Sequence, residues 1–376
     1  MRPLDDARQT CETFLPGLLK ELGTVPLTLL ESSDSPAIDA FRRHNGPALV
    51  IPKQYGGLGA DPLQALATTR ALACAAPSLA VGTTMHHFSA ATLFNLADSD
   101  PGGLSSLFVQ TVAEEHLLIA SGFSEGNPGQ GIFSPTMKAK PCEGGYVLNG
   151  TKKPCSLSRS MDMLTASVAI PRNDGGRDLA VALIPRDSEG LSVHPFWSSW
   201  ALAGAESDEV RVTDVFVQDE LLVRTELEEE RLSSLQTVGL IWFELLISAS
   251  YLGIASALAE RVWQAERGGA TERAQLFTRL ESATLLLESV ARMIIAGEAD
   301  DAALTKSLIA RYAVQDILGD TSRKAAELLG GMAFIKSPDV AYLTAACTAL
   351  SFHPPSRSAF TEPLLDYVAK RPVGLS

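Results

Sequence analysis

The sequence predicts a mostly α chain of the α+β class, with an N-terminal helical domain, a middle antiparallel β-domain and a C-terminal helical bundle. Three observations carry this reading. Apolar residues recur three and four apart up to about residue 115, short β-branched runs bounded by Gly, Pro, Asp or Asn fill about 118–222, and long helical periodicity then returns. The domain boundaries drawn from them are 1–116, 117–225 and 226–376. A chain of 376 residues exceeds what one hydrophobic core usually supports, which agrees with several domains sharing an interface.

In the first domain Leu63, Leu66, Thr69 and Leu72 mark one helix face, and the glycines and proline of IPKQYGGLGA (51–60) require a loop between helices. In the second, the runs GGYVLNGTKK, MLTASVAI, DLAVALIP, GLSVHPF and EVRVTDVFV read as strands. Asn149-Gly150 adds a hairpin-turn signal, because these residues accept the positive φ that tight turns need. In the third, Leu235, Val238, Trp242, Leu245 and Leu246 repeat at helical spacing, and the acidic run 226–230 reads as a connector or an exposed first turn. The apolar stretch 238–259 is interrupted by Glu244, serines and glycines, so it reads as a buried core helix rather than a membrane span.

Composition narrows the partners. With 31 basic and 44 acidic residues the net charge is −13, which opposes a nucleic-acid or anionic-membrane surface. The five cysteines are scattered and never spaced as CxxC, which points away from a disulfide framework or zinc site and toward a reducing cytoplasm. The start of the sequence is acidic within six residues and has no apolar signal-peptide core.

Five segments in order resemble the acyl-CoA dehydrogenase superfamily over nearly the whole chain. PKQYGGLGA is similar to that family's P-x-x-YGG-x-G loop, and GFSEGNPGQG (122–131) stands where the family has TEPxAGSD. LNGTKKPCSLS is similar to its NG-x-K-x-WITN hairpin, DEVRVTDVFVQDELLV to the strand closing the β-domain, and AAELLGGMAF to the late Q-x-x-GG-x-G segment. The resemblance implies a homodimer or homotetramer binding FAD. One fold of this kind hosts dehydrogenases, oxidases and monooxygenases, so the chemistry must be argued from the site.

By the resemblance, Phe123 and Ser124 meet the pyrimidine edge of the flavin, Ser156 stands near N5, and Gly129 belongs to the same cofactor loop. Backbone groups and small hydroxyls suit that edge, since they supply hydrogen bonds while leaving the ring faces free. Read from local composition alone, the serines are equally ordinary turn and strand-end residues. Pro154 replaces the flavin-packing tryptophan of many members, and Glu125-Gly126-Asn127 departs from the acidic-proline-glycine signature. Arg267, Gly330 and Gly331 match positions that hold the FAD diphosphate, often across a subunit interface. Alternatively, Arg267 is a surface arginine and the glycines form a helix C-terminal turn. Glu327 replaces the family's Gln and would repel phosphate when ionised.

Removing a proton alpha to a thioester carbonyl calls for a carboxylate in an apolar cleft. The family's usual late Tyr-Glu-Gly-Thr is absent, because 350–357 reads LSFHPPSR without Glu or Asp. Glu244 stands at the alternative position of the long-chain and isovaleryl branches and is the one charged residue in 238–259. An unpaired carboxylate so placed has its pKa raised, and a glutamate on an exposed stripe is the competing reading. His353, between Phe352 and two prolines, resembles the His-Pro of the monooxygenase branch, and His87 is a further polar candidate. Either can also be a structural histidine. The leading expectation is therefore an FAD enzyme dehydrogenating an acyl-CoA or acyl-carrier-protein thioester with Glu244 as base. Its electrons would pass to electron-transfer flavoprotein or oxygen. The alternatives are a reduced-flavin monooxygenase, using FMN from a flavin reductase and relying on His353 and Ser156, and a catalytically silent acyl-binding subunit.

Overall fold

A computed structural model describes residues 1–99, 101–127, 134–172, 176–225 and 234–371. The first helices are α1 (Arg2–Phe14), α2 (Leu18–Leu22), α3 (Leu27–Leu30), α4 (Ala37–Arg43), α5 (Pro62–Ala75), α6 (Pro77–Ser99) and α7 (Leu104–Glu114). Asp61 caps α5 in a reciprocal pair with Gln64, which fixes where the helix begins after the glycine loop. Eight strands follow: β1 (Ile119–Gly122), β2 (Lys138–Cys142), β3 (Gly145–Cys155), β4 (Met163–Pro171), β5 (Arg177–Pro185), β6 (Leu191–His194), β7 (Asp208–Gln218) and β8 (Leu222–Thr225). The last helices are α8 (Ser234–Gln264), α9 (Ala270–Ile295), α10 (Asp301–Leu329), α11 (Gly331–Lys336), α12 (Pro338–Cys347) and α13 (Thr361–Val368). Helices at both ends thus flank a sheet, as predicted. The acidic run 226–230 lies outside the described residues.

Two expectations about the sheet need correction. Its path is β6-β7-β3-β2-β4-β5-β8, and β1 lies beside β4 in parallel, with Ile119 opposite Met163. β2 also meets β4 in parallel at Lys138 and Ala169, so the sheet is mixed rather than wholly antiparallel. A parallel pair cannot be joined by a tight turn, and here the β2–β3 hairpin intervenes in sequence between its two strands. Second, Asn149-Gly150 is not a turn. The β2–β3 turn lies at Glu143-Gly144, where Gly144 has φ 73°, and Asn149 and Gly150 sit within β3 at a register shift against β7. There the Asn149 amide donates to Asp214 at 2.9 Å and accepts from the Asp214 N–H at 3.0 Å. A Cβ on Gly150 would come within 2.7 Å of the Met137 side chain. The dipeptide therefore marks a bulge and a close approach instead of a chain reversal.

The centre of the molecule is α8, packed against α5, α6, α9 and α10. It is long and apolar enough to cross a membrane, but 94% of its apolar window is buried inside the protein. Side chains that would face lipid face other helices instead.

A buried carboxyl links the two helical parts. Glu31 accepts from the Ser78 N–H at 3.0 Å, from the Ser78 hydroxyl at 2.5 Å, and from the Tyr342 hydroxyl. Burial pushes its pKa up to about 7, with those hydrogen bonds opposing. A carboxyl that binds its proton more tightly when folded stabilises the fold below its unfolded pKa near 4.5, and the contribution fades as pH rises to about 7. Thermal melts should therefore show wild type losing up to roughly 3 kcal/mol from this group between pH 5 and pH 8. Glu31→Gln should flatten that decline, and an unchanged slope would refute the assignment.

Candidate active site

A cavity of about 290 Å³ lies where α6, α8, the sheet and the segment after α12 meet. On α6, Val81, Met85, Phe88, Thr92 and Leu96 fall at helical spacing on one face and form an apolar wall. The hydroxyls on this wall are turned to their own helix, Ser89 to the Met85 carbonyl and Thr92 to the Phe88 carbonyl, each at 2.9 Å. From α8 come Gly239, Leu240, Phe243 and Tyr251.

The opposite wall gathers residues predicted to hold cofactor. Phe123, Ser124 and Ser156 all line the cavity, together with Pro154, Trp197 and Ser207. The Ser156 and Ser207 hydroxyls are 2.9 Å apart. The Ser124 carbonyl accepts from the Lys153 N–H at 2.9 Å, which fastens the loop after β1 to β3. Small hydroxyls at one edge and apolar side chains on the faces suit a flat heteroaromatic ring with a polar rim, so these residues fit a flavin. Gly129 lies outside the described residues.

Glu125, read from sequence only as a departure from a signature, has a structural task. It is buried and accepts from the Thr136 N–H at 2.9 Å, from the Met137 N–H at 3.1 Å, and from the Lys152 ammonium at 2.8 Å. Lys152 is itself fully buried and donates to Ser167 at 3.0 Å. This pair ties Glu125 and Thr136 to the sheet beside Ser124. Strand alternation could have revealed it, since Lys152 points inward and Lys153 outward from the same strand.

His353 follows a 3₁₀ turn, Thr348–Phe352, and lines the cavity. Its Nε2 is 2.8 Å from the Tyr251 hydroxyl, and its ring meets Tyr251 and Phe243 edge-on at centroid distances of 5.5 and 6.2 Å. Burial, helped by the nearby Arg311 charge, pushes its pKa down to about 3, so the imidazole is neutral at ordinary pH.

Glu244 is not brought to this cavity. Its carboxylate lies 3.2 Å from the Arg311 guanidinium, with both side chains 1% exposed. Burial pushes the carboxyl up to about 7 while Arg311 opposes the shift. Arg311, on α10, also donates to the carbonyls of Leu350 and His353 at 3.2 and 2.5 Å and of Pro354 and Pro355 at 3.1 and 3.2 Å. The expected base therefore sits behind the His353 segment, paired with the cation that anchors it. Among the described residues no Asp or Glu lines the cavity.

The remaining candidates lie elsewhere. His87 is buried against Phe41 and His86, with no hydrogen-bond partner for either ring nitrogen among the described residues. Arg267 is exposed in the turn between α8 and α9. Gly330, at φ 84°, joins α10 to α11, and Gly331 begins α11. Glu327 accepts from Arg323 at 2.7 Å, which offsets part of its charge. Phe123, Ser124, Ser156 and His353 thus share one cavity, while Arg267, Gly330 and Gly331 do not line it.

No family model matches the sequence. The isobutylamine N-hydroxylase of Streptomyces viridifaciens is 50% identical over 376 residues, spanning 99% of this chain and 100% of that protein. The dibenzothiophene monooxygenase of Rhodococcus erythropolis is 28% identical over 245 residues, 62% of this chain and 54% of its own. Among solved structures, KijD3 in complex with FMN and a dTDP-linked amino keto sugar superposes with a TM-score of 0.84 at 18% identity, over 98% of this chain and 95% of that one. That last likeness concerns the fold alone. Given the first relative's identity along its whole length, and the architecture described above, the chain belongs to the acyl-CoA dehydrogenase superfamily and is a flavin-dependent oxidoreductase.

Proposed function

We propose that the chain is a reduced-flavin-dependent monooxygenase that hydroxylates the nitrogen of a small apolar primary amine. The observation that carries this reading is the cavity lining. Dehydrogenation of an acyl thioester needs a carboxylate at the substrate's alpha carbon, and Glu244 is held on Arg311 behind the cavity wall. What the cavity offers instead is an apolar enclosure with hydroxyls, the Gln236 carboxamide and one neutral imidazole, His353. The half-identical N-hydroxylase and the monooxygenase relative favour the same reaction class.

In this reading FMN is the cofactor and a separate reductase delivers it reduced. By the resemblance the stretch at Arg267 lacks the family's Phe and Glu327 replaces the Gln that meets the diphosphate, which disfavours FAD. The reduced flavin, when bound, supplies the electrons for activating dioxygen. The chain's own residues do the rest: Phe123, Ser124 and Ser156 hold the ring edge, the α6 and α8 side chains exclude water and seat the alkyl group, and His353 presents a polar ring atom to the reacting centre. Water exclusion strengthens every such contact.

The test supplies reduced FMN from a reductase, isotopically labelled dioxygen, and a panel of primary amines. Labelled hydroxylamine is the expected product. Anaerobic bleaching of bound oxidised flavin by an acyl thioester, with no hydroxylamine from any amine, would overturn the proposal.

A further inference from the structure

We infer that Tyr251 is a positioning residue that fixes His353 as the Nδ1-protonated tautomer, so that the cavity is offered an N–H donor at this point and no proton acceptor. The starting observation is the burial of Tyr251. It is 0% exposed, and its hydroxyl has a single hydrogen-bond partner among the described residues, His353 Nε2 at 2.8 Å. A phenol has one hydrogen to give, and burying it ungiven costs far more than leaving an oxygen lone pair unused. Tyr251 therefore donates, and Nε2 accepts.

A neutral imidazole that accepts at Nε2 carries its proton on Nδ1. The one hydrogen bond of the His353 ring among the described residues is that of Nε2, and the residue lines the cavity. Burial first, and then the Arg311 charge, keep the ring neutral, and the titratable groups nearby add no negative charge that would reverse this. Tyr251 of α8 is held un-ionised by burial, the Cys347 thiol ending α12 is pushed up to about 12, and Arg311 of α10 stands behind the segment with its charge directed to Glu244. A cation there disfavours a second one on the imidazole.

The consequence for chemistry separates two roles. A neutral Nδ1–H stabilises an oxygen on which negative charge develops, as preorganised donors do. It cannot take a proton from an ammonium, so an amine must reach the cavity as its free base. This second statement rests on the oxygenase reading above, whereas the tautomer does not.

The experiment is long-range ¹⁵N–¹H NMR of protein with ¹⁵N-labelled histidines, with the His353 pattern assigned by its loss in His353→Ala. Wild type should show Nδ1 protonated and Nε2 bare, with no titration between about pH 5 and pH 9. Tyr251→Phe should shift His353 toward the Nε2-protonated form and slow hydroxylation roughly 10- to 100-fold, with the amine KM little changed. Nε2 protonated in wild type, or an unchanged tautomer in a folded Tyr251→Phe, would overturn the inference. If Tyr251→Phe does not fold, the wild-type spectrum decides alone. Absence of amine oxygenation together with the predicted tautomer would remove the proposed reaction and leave the tautomer assignment standing.

Discussion

Replacing Arg311 by Leu is expected to lower stability by about 3–5 kcal/mol, the range seen when one partner of a buried ion pair is removed. The guanidinium is 1% exposed and serves the Glu244 carboxylate and the carbonyls of Leu350, His353, Pro354 and Pro355. Leucine would leave a buried carboxyl without its cation and the His353 and Pro354 carbonyls without the guanidinium, whereas Leu350 keeps the His353 N–H and Pro355 keeps the Tyr312 hydroxyl. Denaturant or thermal unfolding at neutral pH reads the loss directly. The double variant Arg311→Leu/Glu244→Leu should recover a substantial part, because both charges are then gone and only the His353 and Pro354 carbonyls remain unserved. A single-variant loss below about 1 kcal/mol would show that water or another group replaces the guanidinium.

His353→Asn is expected to slow hydroxylamine formation by roughly 100- to 10,000-fold while flavin affinity stays near wild type. The expectation follows from its place: the ring lines the cavity, but Phe123, Ser124 and Ser156, which face it across the cavity, come from the β-domain. Reduced flavin consumed without hydroxylation would appear as hydrogen peroxide, so product and peroxide should be measured together. Glu244→Gln provides the contrast. It removes the charge facing Arg311 and should lower the melting temperature more than it lowers the rate per folded molecule. If Glu244→Gln abolishes turnover while His353→Asn retains it, the catalytic assignment moves from His353 to the carboxylate.

The frame was legible because its signals are local. The near-continuous apolarity of 238–259 marks α8 as buried throughout, and Gly, Pro and Asp bound the β runs. What escaped depends on pairings between distant residues. Nothing near Ile119 says that β1 lies parallel to β4, 44 residues further on, and nothing near Asn149 says that Asp214 will receive its amide. The same holds at the site. Glu244 was readable as buried, but its partner lies 67 residues away on α10, and that partner decides whether a buried carboxylate is free to act as a base. Tyr251 carries no motif and gains its importance only where the chain returns at His353, 102 residues later.

The Arg311 anchor has one more implication. Apart from Glu244, everything it holds in the segment 350–355 is main chain, and a carbonyl is the same whichever side chain follows it. Ala349 and Phe352 are thus presented to the cavity by a grip that does not depend on their identity, whereas His353 is also held through its own ring by Tyr251. Exchanging Ala349 or Phe352 would alter what the cavity recognises and leave the support untouched. The molecule keeps the holding of this segment apart from the wording it displays, which gives the cavity room to acquire new substrates by changes at a few positions.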